Sequence, residues 1–304
     1  MKVLEVMNRA GGVLDSGRLV ALTSRRKVRT ALSDGVIVRD AKGRYALPTA
    51  QESRRAAHRL SGVMTGRSAA AHYGWPMKSQ PRRPEVTVPR NRKVAPERRE
   101  GCVDLRWSDL PDASVARGVL LPGPAVIDCA RRHPFDEALA IADSAVRSGD
   151  ITPAELLRLA ERVPSSGRAG ALRVARCVDA RAANPFESVL RAIALDVAVL
   201  DLEPQVEILV DRFLGRPDLV DLTRRLILEA ESFEYHGERW MLDRDCVRCN
   251  GFVLAGWRVL RFSWENVMRH PDYVRECLEV AATLPPPERP RGRAPLPAPG
   301  RLAA

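Results

Sequence analysis

Four acidic residues interrupt two short apolar runs in the stretch GRPDLVDLTRRLILEAESFEYH, residues 215–236; they are Asp218, Asp221, Glu229 and Glu231. The runs LVDL and LILEA flank the turn-like TRR, which predicts a β-hairpin over 218–231. A carboxylate on an otherwise buried strand is costly unless a cation compensates it. The compensating partner is therefore either an arginine or lysine, or a divalent metal ion.

Three of these carboxylates have the spacing of a metal site. Glu229 and Glu231 are two residues apart, so they project from the same face of the second strand. Asp218 lies on the neighbouring strand, within cross-strand reach if the turn is tight. Mg²⁺ or Mn²⁺, which prefer oxygen ligands, would relieve the repulsion between them. Such an ion lowers the pKa of bound water and stabilises charge on a phosphodiester, so we expect Asp218 and Glu229 to bind one.

The elements around this hairpin predict a small mixed α/β domain over 181–284. ANPFESVLRAIAL predicts a helix with Asn184 as its N-cap and Pro185 in its first turn. VEILVDRFL predicts one strand, WMLDRDCVRCNGFVLAGW a helix ending near Gly256, and WRVLRF a further strand. SWENVMRHPDYVRECLEVAATL supplies the closing helices. The predicted order is one helix, three strands, a helix, a strand and final helices.

This region resembles the PD-(D/E)XK nuclease superfamily, and more closely its branch similar to very-short-patch-repair endonucleases. Pro217 and Asp218 match the "PD" half, and LEAE places Glu229 at the acidic position and Glu231 where lysine is usual. ESVLR, EPQVEI, GRPDLVDL, LEAESFEYH, LDRDCVR and AGWRVLRFSWENV carry the resemblance over residues 184–280. It implies a restriction-endonuclease-like mixed sheet flanked by helices. The implied catalytic set is Asp218, Glu229, Glu231, His236, Glu187 and Asp243.

Because the usual lysine is missing, another residue must take its role. His236 is the leading candidate, as general base or phosphate contact. Asp243 and Arg248 on the next helix would position His236 or a phosphate.

Each of these residues also has a structural alternative. Glu187 can be half of a capping box with Asn184. Glu231 can pair with Arg216 or Arg244, Asp221 can cap the turn, and His236 can be an ordinary histidine.

The first fifty residues predict a winged helix-turn-helix. VLEVMNRAGG, DSGRLVAL and TSRRKVRTALSDG predict three helices, with Asp15 capping the second and Thr23 or Ser24 opening the third. VIVRD, AKG and RYALP predict a two-stranded ribbon. Basic residues crowd the third helix and the ribbon, where such domains contact DNA. The candidate DNA-binding residues are Arg25, Arg26, Lys27, Arg29, Arg39, Lys42 and Arg44, together with Arg248. The alternative is a small interaction domain with solvated basic faces.

Residues 1–180 resemble the AbiEi family of antitoxins and transcriptional regulators of type IV toxin–antitoxin systems. The matching text is ALSDGVIVRDAKGRYALP, TGRSAAAHYGWP, RRPEVTVPRNRKV and AVIDCARRHPFDEALAIADSAVRSGDIT. The resemblance implies a winged helix over 1–50, followed by an α/β domain over 51–180, with double-stranded DNA as partner. It also raises a toxin protein as a second partner. Within the middle domain, Thr152 and Pro153 predict a helix start.

The composition agrees with a polyanionic partner. Lys and Arg total 49 against 38 acidic residues, a net charge of +11. The alternative is that an arginine-rich chain reflects genomic composition. No apolar run is long enough for a membrane span or a secretion signal, so a cytoplasmic protein is expected.

Neither zinc nor an organic cofactor is expected. Cys246 and Cys249 form a CxxC without a second pair, and they are predicted to pack one helical turn apart as small apolar residues. The Pro- and Arg-rich stretch 285–304 predicts a disordered tail.

Three functions follow from these patterns. The first is a DNA-binding protein with a magnesium-dependent endonuclease domain, acting in repair or defence. The alternative is a non-catalytic, antitoxin-like transcriptional regulator. The third, which the AbiEi resemblance alone implies, is an antitoxin that neutralises a nucleotidyltransferase toxin.

Overall fold

The computed structural model of the chain describes residues 2–96, 103–209, 213–231 and 239–288. The described residues contain both helices and strands, which confirms the mixed α and β class. In the described ranges, no helix is long and apolar enough to cross a membrane. The predicted tail lies outside the described residues from 289 onward.

Residues 2–50 form three helices and a three-stranded antiparallel sheet in the order β1-β3-β2. The elements are α1 (Val3–Arg9), β1 (Val13–Asp15), α2 (Ser16–Leu22), α3 (Arg25–Ser33), β2 (Val38–Ala41) and β3 (Arg44–Ala46).

Side-chain caps set the helix starts here as the sequence predicted. The Asp15 carboxylate accepts a hydrogen bond from the Arg18 amide, and the Ser24 hydroxyl accepts one from the Lys27 amide. Strand β1, which the sequence did not predict, pairs with β3 and closes the sheet. Met7, Leu19 and Ile37 are buried in the core of this region. The basic residues in the first turn of α3 are exposed to solvent.

The described residues of 51–180 contain seven helices and a second three-stranded sheet, in the order β4-β5-β6. Strands β5 and β6 are parallel. The elements are α4 (Glu52–Leu60), β4 (Val63–Met64), α5 (Gly66–His72), β5 (Glu85–Pro89), β6 (Asp104–Ser108), α6 (Asp112–Arg117), α7 (Pro122–Arg132), α8 (Phe135–Arg147), α9 (Pro153–Glu161) and α10 (Arg168–Cys177). Thr152 caps α9 and Pro153 occupies its first turn, as predicted.

Residues 181–284 contain a four-stranded mixed sheet in the order β12-β11-β10-β7. The elements are α11 (Pro185–Ala194), β7 (Glu203–Pro204), β8 (Ile208–Leu209), β9 (Phe213–Gly215), β10 (Leu219–Asp221), β11 (Leu226–Glu231), α12 (Arg239–Leu254), β12 (Arg258–Ser263), α13 (Trp264–Arg269) and α14 (Pro271–Thr283).

Helices cover both faces of this sheet because consecutive residues of the central strands are apolar and point to opposite faces. Leu219 and Leu228 belong to the core shared with α11, α13 and α14, whereas Val220 and Ile227 pack against Phe252 of α12. The predicted hairpin is present, with Leu219 opposite Leu228.

Two details of the third region differ from the sequence prediction. VEILVDRFL was predicted as one strand, but β8 and β9 are separate short strands that pair antiparallel beside the main sheet. Cys246 and Cys249 do lie on α12, as predicted, but Cys246 is exposed. The expectation that it packs as a small apolar residue is therefore wrong.

A buried ion pair joins the second and third regions. Arg191 of α11 contacts both carboxylate oxygens of Asp143 on α8, at 2.7 and 2.8 Å. Both side chains are almost fully buried. Because helix α8 packs along α11 around this pair, the start of α11 is held in a fixed place beside the four-stranded sheet.

Candidate functional site

The hairpin β10–β11 places two carboxylates side by side. Its register sets Asp218, just before β10, next to Glu229 and Ala230 of β11, and the Asp218 Oδ2 atom accepts a 2.7 Å hydrogen bond from the Ala230 amide. Glu229 projects from the same side of β11 as Ile227, toward α12. Glu229 is buried and Asp218 is partly buried, and they are close enough for the charge of Asp218 to act on Glu229.

Helix α11 brings a third acid to the same end of the sheet. Glu187 takes part in capping α11, as the structural alternative predicted: its carboxylate accepts hydrogen bonds from the Ala183 amide and the Asn184 side chain, both at 2.8 Å. The side-chain amide of Gln205 then donates to Glu187 at 3.1 Å and to Asp218 at 3.4 Å. Glu187 is thus a capping residue that also adjoins Asp218.

We call Glu187, Asp218, Glu229 and Glu231 the acid cluster. Arginines pair with two of its members, Glu229 and Glu231. Arg248 of α12 lies 3.1 Å from the Glu229 carboxylate. Arg261 of β12 contacts Glu231 at 2.5 and 2.7 Å. The predicted alternatives for Glu231 named Arg216 and Arg244; Arg216 instead pairs with Glu207, and the parallel pairing of β11 and β12 supplies Arg261.

Burial raises the pKa of three members of the acid cluster, Glu187, Asp218 and Glu229. Desolvation and the nearby Asp218 charge raise the pKa of Glu187 to about 7. Desolvation, only partly offset by Arg248, raises the pKa of Glu229 to about 8. The pKa of Asp218 is also raised, chiefly by burial. Near neutral pH the metal-free chain therefore holds a proton on most Glu229 side chains and on part of the Glu187 side chains, and a bound cation would favour the ionised forms.

The expected metal ligands are adjacent but not arranged as a ready cage. Within the part of the chain that the structure describes, no three His, Cys, Asp or Glu side chains are grouped so as to hold a metal ion. Oxygen donors from Asp218 and Glu229 suit Mg²⁺ or Mn²⁺ chemically. In this arrangement, however, Arg248 takes the place of a cation beside Glu229.

Three further predicted residues are His236, Asp243 and Asp221. His236 lies outside the described residues, and Asp243 is on α12, with its side chain outside them as well. Asp221 caps the hairpin turn, as the alternative predicted: fully buried, it accepts hydrogen bonds from the Arg224 amide at 2.8 Å and the Asp201 amide at 3.0 Å.

The basic residues of the first region lie largely on its surface. Arg25, Arg26, Lys27 and Arg29 are exposed along α3, and Arg39 and Lys42 are exposed on the β2–β3 ribbon. Arg44 differs, because it is partly buried and donates a 2.9 Å hydrogen bond to the Ser61 hydroxyl. Arg248, which was also predicted to contact DNA, belongs to another region and pairs with Glu229 of the acid cluster.

Sequence reasoning missed Gln205 and Arg261 as members of the site. Gln205 stands in the quoted EPQVEI, and its position after β7 aims a neutral donor between two acids. Arg261 stands in the quoted GWRVLRF, directly opposite Glu229 in the parallel register. No signal in the neighbouring residues gives either contact, because each joins segments that are distant in the sequence.

Comparison with known proteins gives little further support. No protein-family model matches the chain, and no curated protein is similar to it. Among solved structures, the RV2827C protein from Mycobacterium tuberculosis is 20% identical over 64% of this chain and 79% of that chain, with a TM-score of 0.33. A TM-score of 0.33 does not show a shared fold.

Proposed function

We propose that the protein binds double-stranded DNA and that its residues 181–284 form a PD-(D/E)XK-like, magnesium-dependent endonuclease domain. The observation that supports the proposal is the convergence of Glu187, Asp218 and Glu229 at one end of a mixed sheet flanked by helices. Several buried acids with mutually raised pKa values are typical of functional sites.

In this proposal Asp218 and Glu229 hold Mg²⁺ or Mn²⁺. The bound ion supplies Lewis-acid activation of water and stabilisation of charge on the phosphodiester. Gln205 orients the oxygens of Asp218 and Glu187 through its amide group. Arg248, once Glu229 faces a metal ion, becomes available for a phosphate oxygen, which matches the DNA contact expected from the sequence. His236 stays the proposed general base.

DNA binding in this proposal belongs to residues 1–50 as a winged helix. Three helices followed by a two-stranded ribbon support that assignment. So does the exposure of four basic residues on α3, since recognition helices enter the major groove near their N-terminal ends. The exposed Arg39 and Lys42 then contact backbone phosphates from the ribbon.

A second candidate function is a non-catalytic, antitoxin-like regulator that binds DNA without cleaving it, with a toxin protein as its second partner. The specific observation in its favour is the pairing of Glu229 with Arg248 and of Glu231 with Arg261. Acids that are neutralised by arginines need no metal ion. This candidate predicts the same DNA binding but no cleavage.

A nicking assay on supercoiled plasmid with Mg²⁺ or Mn²⁺ separates the two. The wild type, Asp218→Ala and Glu229→Ala are compared with Asp272→Ala, which removes an exposed carboxylate that is also paired with an arginine. We expect cleavage by the wild type and the control only. Equal cleavage by all four proteins contradicts the assignment of the site, and DNA binding without cleavage by the wild type supports the regulator.

A further inference from the structure

A cavity of about 360 Å³ lies between the first region and the second. Its walls come from the end of α1, β1, the start of α2, β3, α4 with its following turn, and the end of α6. The acid cluster is on the third region, so this cavity is a separate feature of the molecule.

The charges that line the cavity are predominantly positive. Arg18, Arg44, Arg54 and Arg117 contribute to its walls, whereas Asp15 is the single acid among the lining residues. One Asp15 oxygen already accepts a hydrogen bond from the Arg18 amide as the cap of α2. The lining therefore keeps an excess of positive charge that an anion would offset.

Two polar atoms of α4 in this lining are buried without a hydrogen-bond partner within the described ranges. They are Arg54 Nε and His58 Nδ1. Arg54 does donate to the Ala10 carbonyl oxygen at 3.2 Å through Nη2, so its guanidinium is fixed while one donor is left over. A buried polar group without a partner is unfavourable, and an acceptor in the cavity would relieve it.

The guanidinium groups of Arg44 and Arg54 flank His58. Both charges, after burial itself, lower the pKa of His58 to about 4, so the imidazole is neutral near pH 7. A neutral ring adds one hydrogen-bond donor without further positive charge. Arg44 is held in place by its hydrogen bond to Ser61. Two anchored guanidiniums with an adjacent imidazole match the acceptor-rich tetrahedral shape of a phosphate group.

We infer that this cavity binds a small phosphate-bearing anion, held by Arg44, Arg54 and His58, with Arg18 and Arg117 at its exposed rim. Its volume admits inorganic phosphate or a small phosphomonoester, and apolar side chains such as Val13 and Val115 line the rest of the space. Because the walls come from two regions, a bound anion also fixes their mutual arrangement.

Isothermal titration calorimetry on the full chain tests the inference, with inorganic phosphate and adenosine 5′-monophosphate as separate probes at constant ionic strength. We expect saturable binding of at least one probe by the wild type. Its Kd should rise at least tenfold in the double variant Arg44→Gln, Arg54→Gln. The double variant Arg158→Gln, Arg162→Gln is the matched control, because it removes two exposed arginines on α9 and at its C-terminal cap, outside the cavity.

The rim variant Arg18→Gln, Arg117→Gln keeps the test decisive if the buried arginines are needed for folding. Both rim residues are exposed, so this variant is expected to fold and to bind the probe several-fold more weakly than the control. Tighter binding of the nucleotide than of phosphate would identify an ester as the ligand. Absence of saturable binding by the wild type, or equal Kd values in all variants, overturns the inference. Weaker duplex DNA binding by the rim variant without any phosphate binding also overturns it, since these arginines would then belong to the DNA surface.

Discussion

Glu229 shows at the scale of one residue how burial and a charge partner compete. Its carboxylate pairs with Arg248, yet desolvation dominates and raises its pKa to about 8. Between its ordinary value, near 4.5, and about 8, the folded chain holds a proton that the unfolded chain releases. The contribution of Glu229 to stability is therefore greatest at low pH and is lost as the pH rises toward 8.

Replacement of Glu229 by glutamine should remove this pH dependence, since the amide keeps the shape without ionising. We expect the unfolding temperature of Glu229→Gln, relative to that of the metal-free wild type, to increase by at least about 2 °C from pH 5 to pH 9. Differential scanning fluorimetry across that range measures the difference. Glu207→Gln is the control because it removes a half-exposed, arginine-paired acid. A constant offset for Glu229→Gln at every pH would contradict the raised pKa.

The residue scale also shows how much of the site the sequence predicts. Local rules were sufficient for the caps at Asp15, Ser24 and Asn184, because each depends on neighbours within a turn. The hairpin with Asp218 beside Glu229 followed from two apolar runs that flank the turn-like TRR. Arg261 and Gln205 did not follow, because their contacts depend on a parallel strand pairing and on β7, both distant in sequence.

The same limit applies to whole elements. VEILVDRFL has the composition of one strand, yet β8 and β9 pair with each other beside the main sheet. Strand propensity records the fit to a half-buried surface, so it does not distinguish one strand from two. Similarly, β1 is only three residues long, and its pairing with β3 rather than its own sequence makes it a strand.

Helix α5 begins on a buried ionic network that explains the first glycine, Gly66, in TGRSAAAHYGWP. Gly66 has φ +53°, and a Cβ atom there would overlap the Glu85 carboxylate. Glu85 accepts hydrogen bonds from the Arg67 amide at 2.9 Å and the Arg67 Nε atom at 2.8 Å, and it contacts His133 at 3.2 Å. Although burial alone would raise the pKa of Glu85, these contacts hold it at about 2.

Gly66→Ala should therefore destabilise the protein by about 2 kcal/mol or more, since backbone strain adds to a disturbed buried network. Gly74→Ala is the matched control: it has φ +72°, but open space surrounds its Cβ position, so only the strain of about 1 kcal/mol remains. Urea unfolding at pH 7 measures both free energies. Equal losses in the two variants would mean that the contact with Glu85 contributes nothing.

At the scale of the whole molecule, the net charge does not say where unpaired basic residues lie on the surface. The chain carries +11, but many arginines are committed to pairs, as with Arg191 and Asp143 between α8 and α11. Arg55 likewise pairs with Asp40, and Arg90 with Asp109. A basic composition alone therefore does not locate a DNA-binding surface. The exposed basic residues of α3 do provide a localised one.

This distinction gives a quantitative prediction for DNA binding. Substitution of Arg25, Arg26 and Lys27 together by glutamine should weaken duplex binding and flatten the slope of log K against log salt by about 2 to 3, since each lost phosphate contact contributes about 0.9. The control substitutes Arg158, Arg162 and Arg168, which are exposed on or near α9 and α10, so both variants lose the same charge. Fluorescence anisotropy at several salt concentrations gives the slopes. If binding depends on net charge alone, the two triple variants will weaken equally, and α3 then has no special part in recognition.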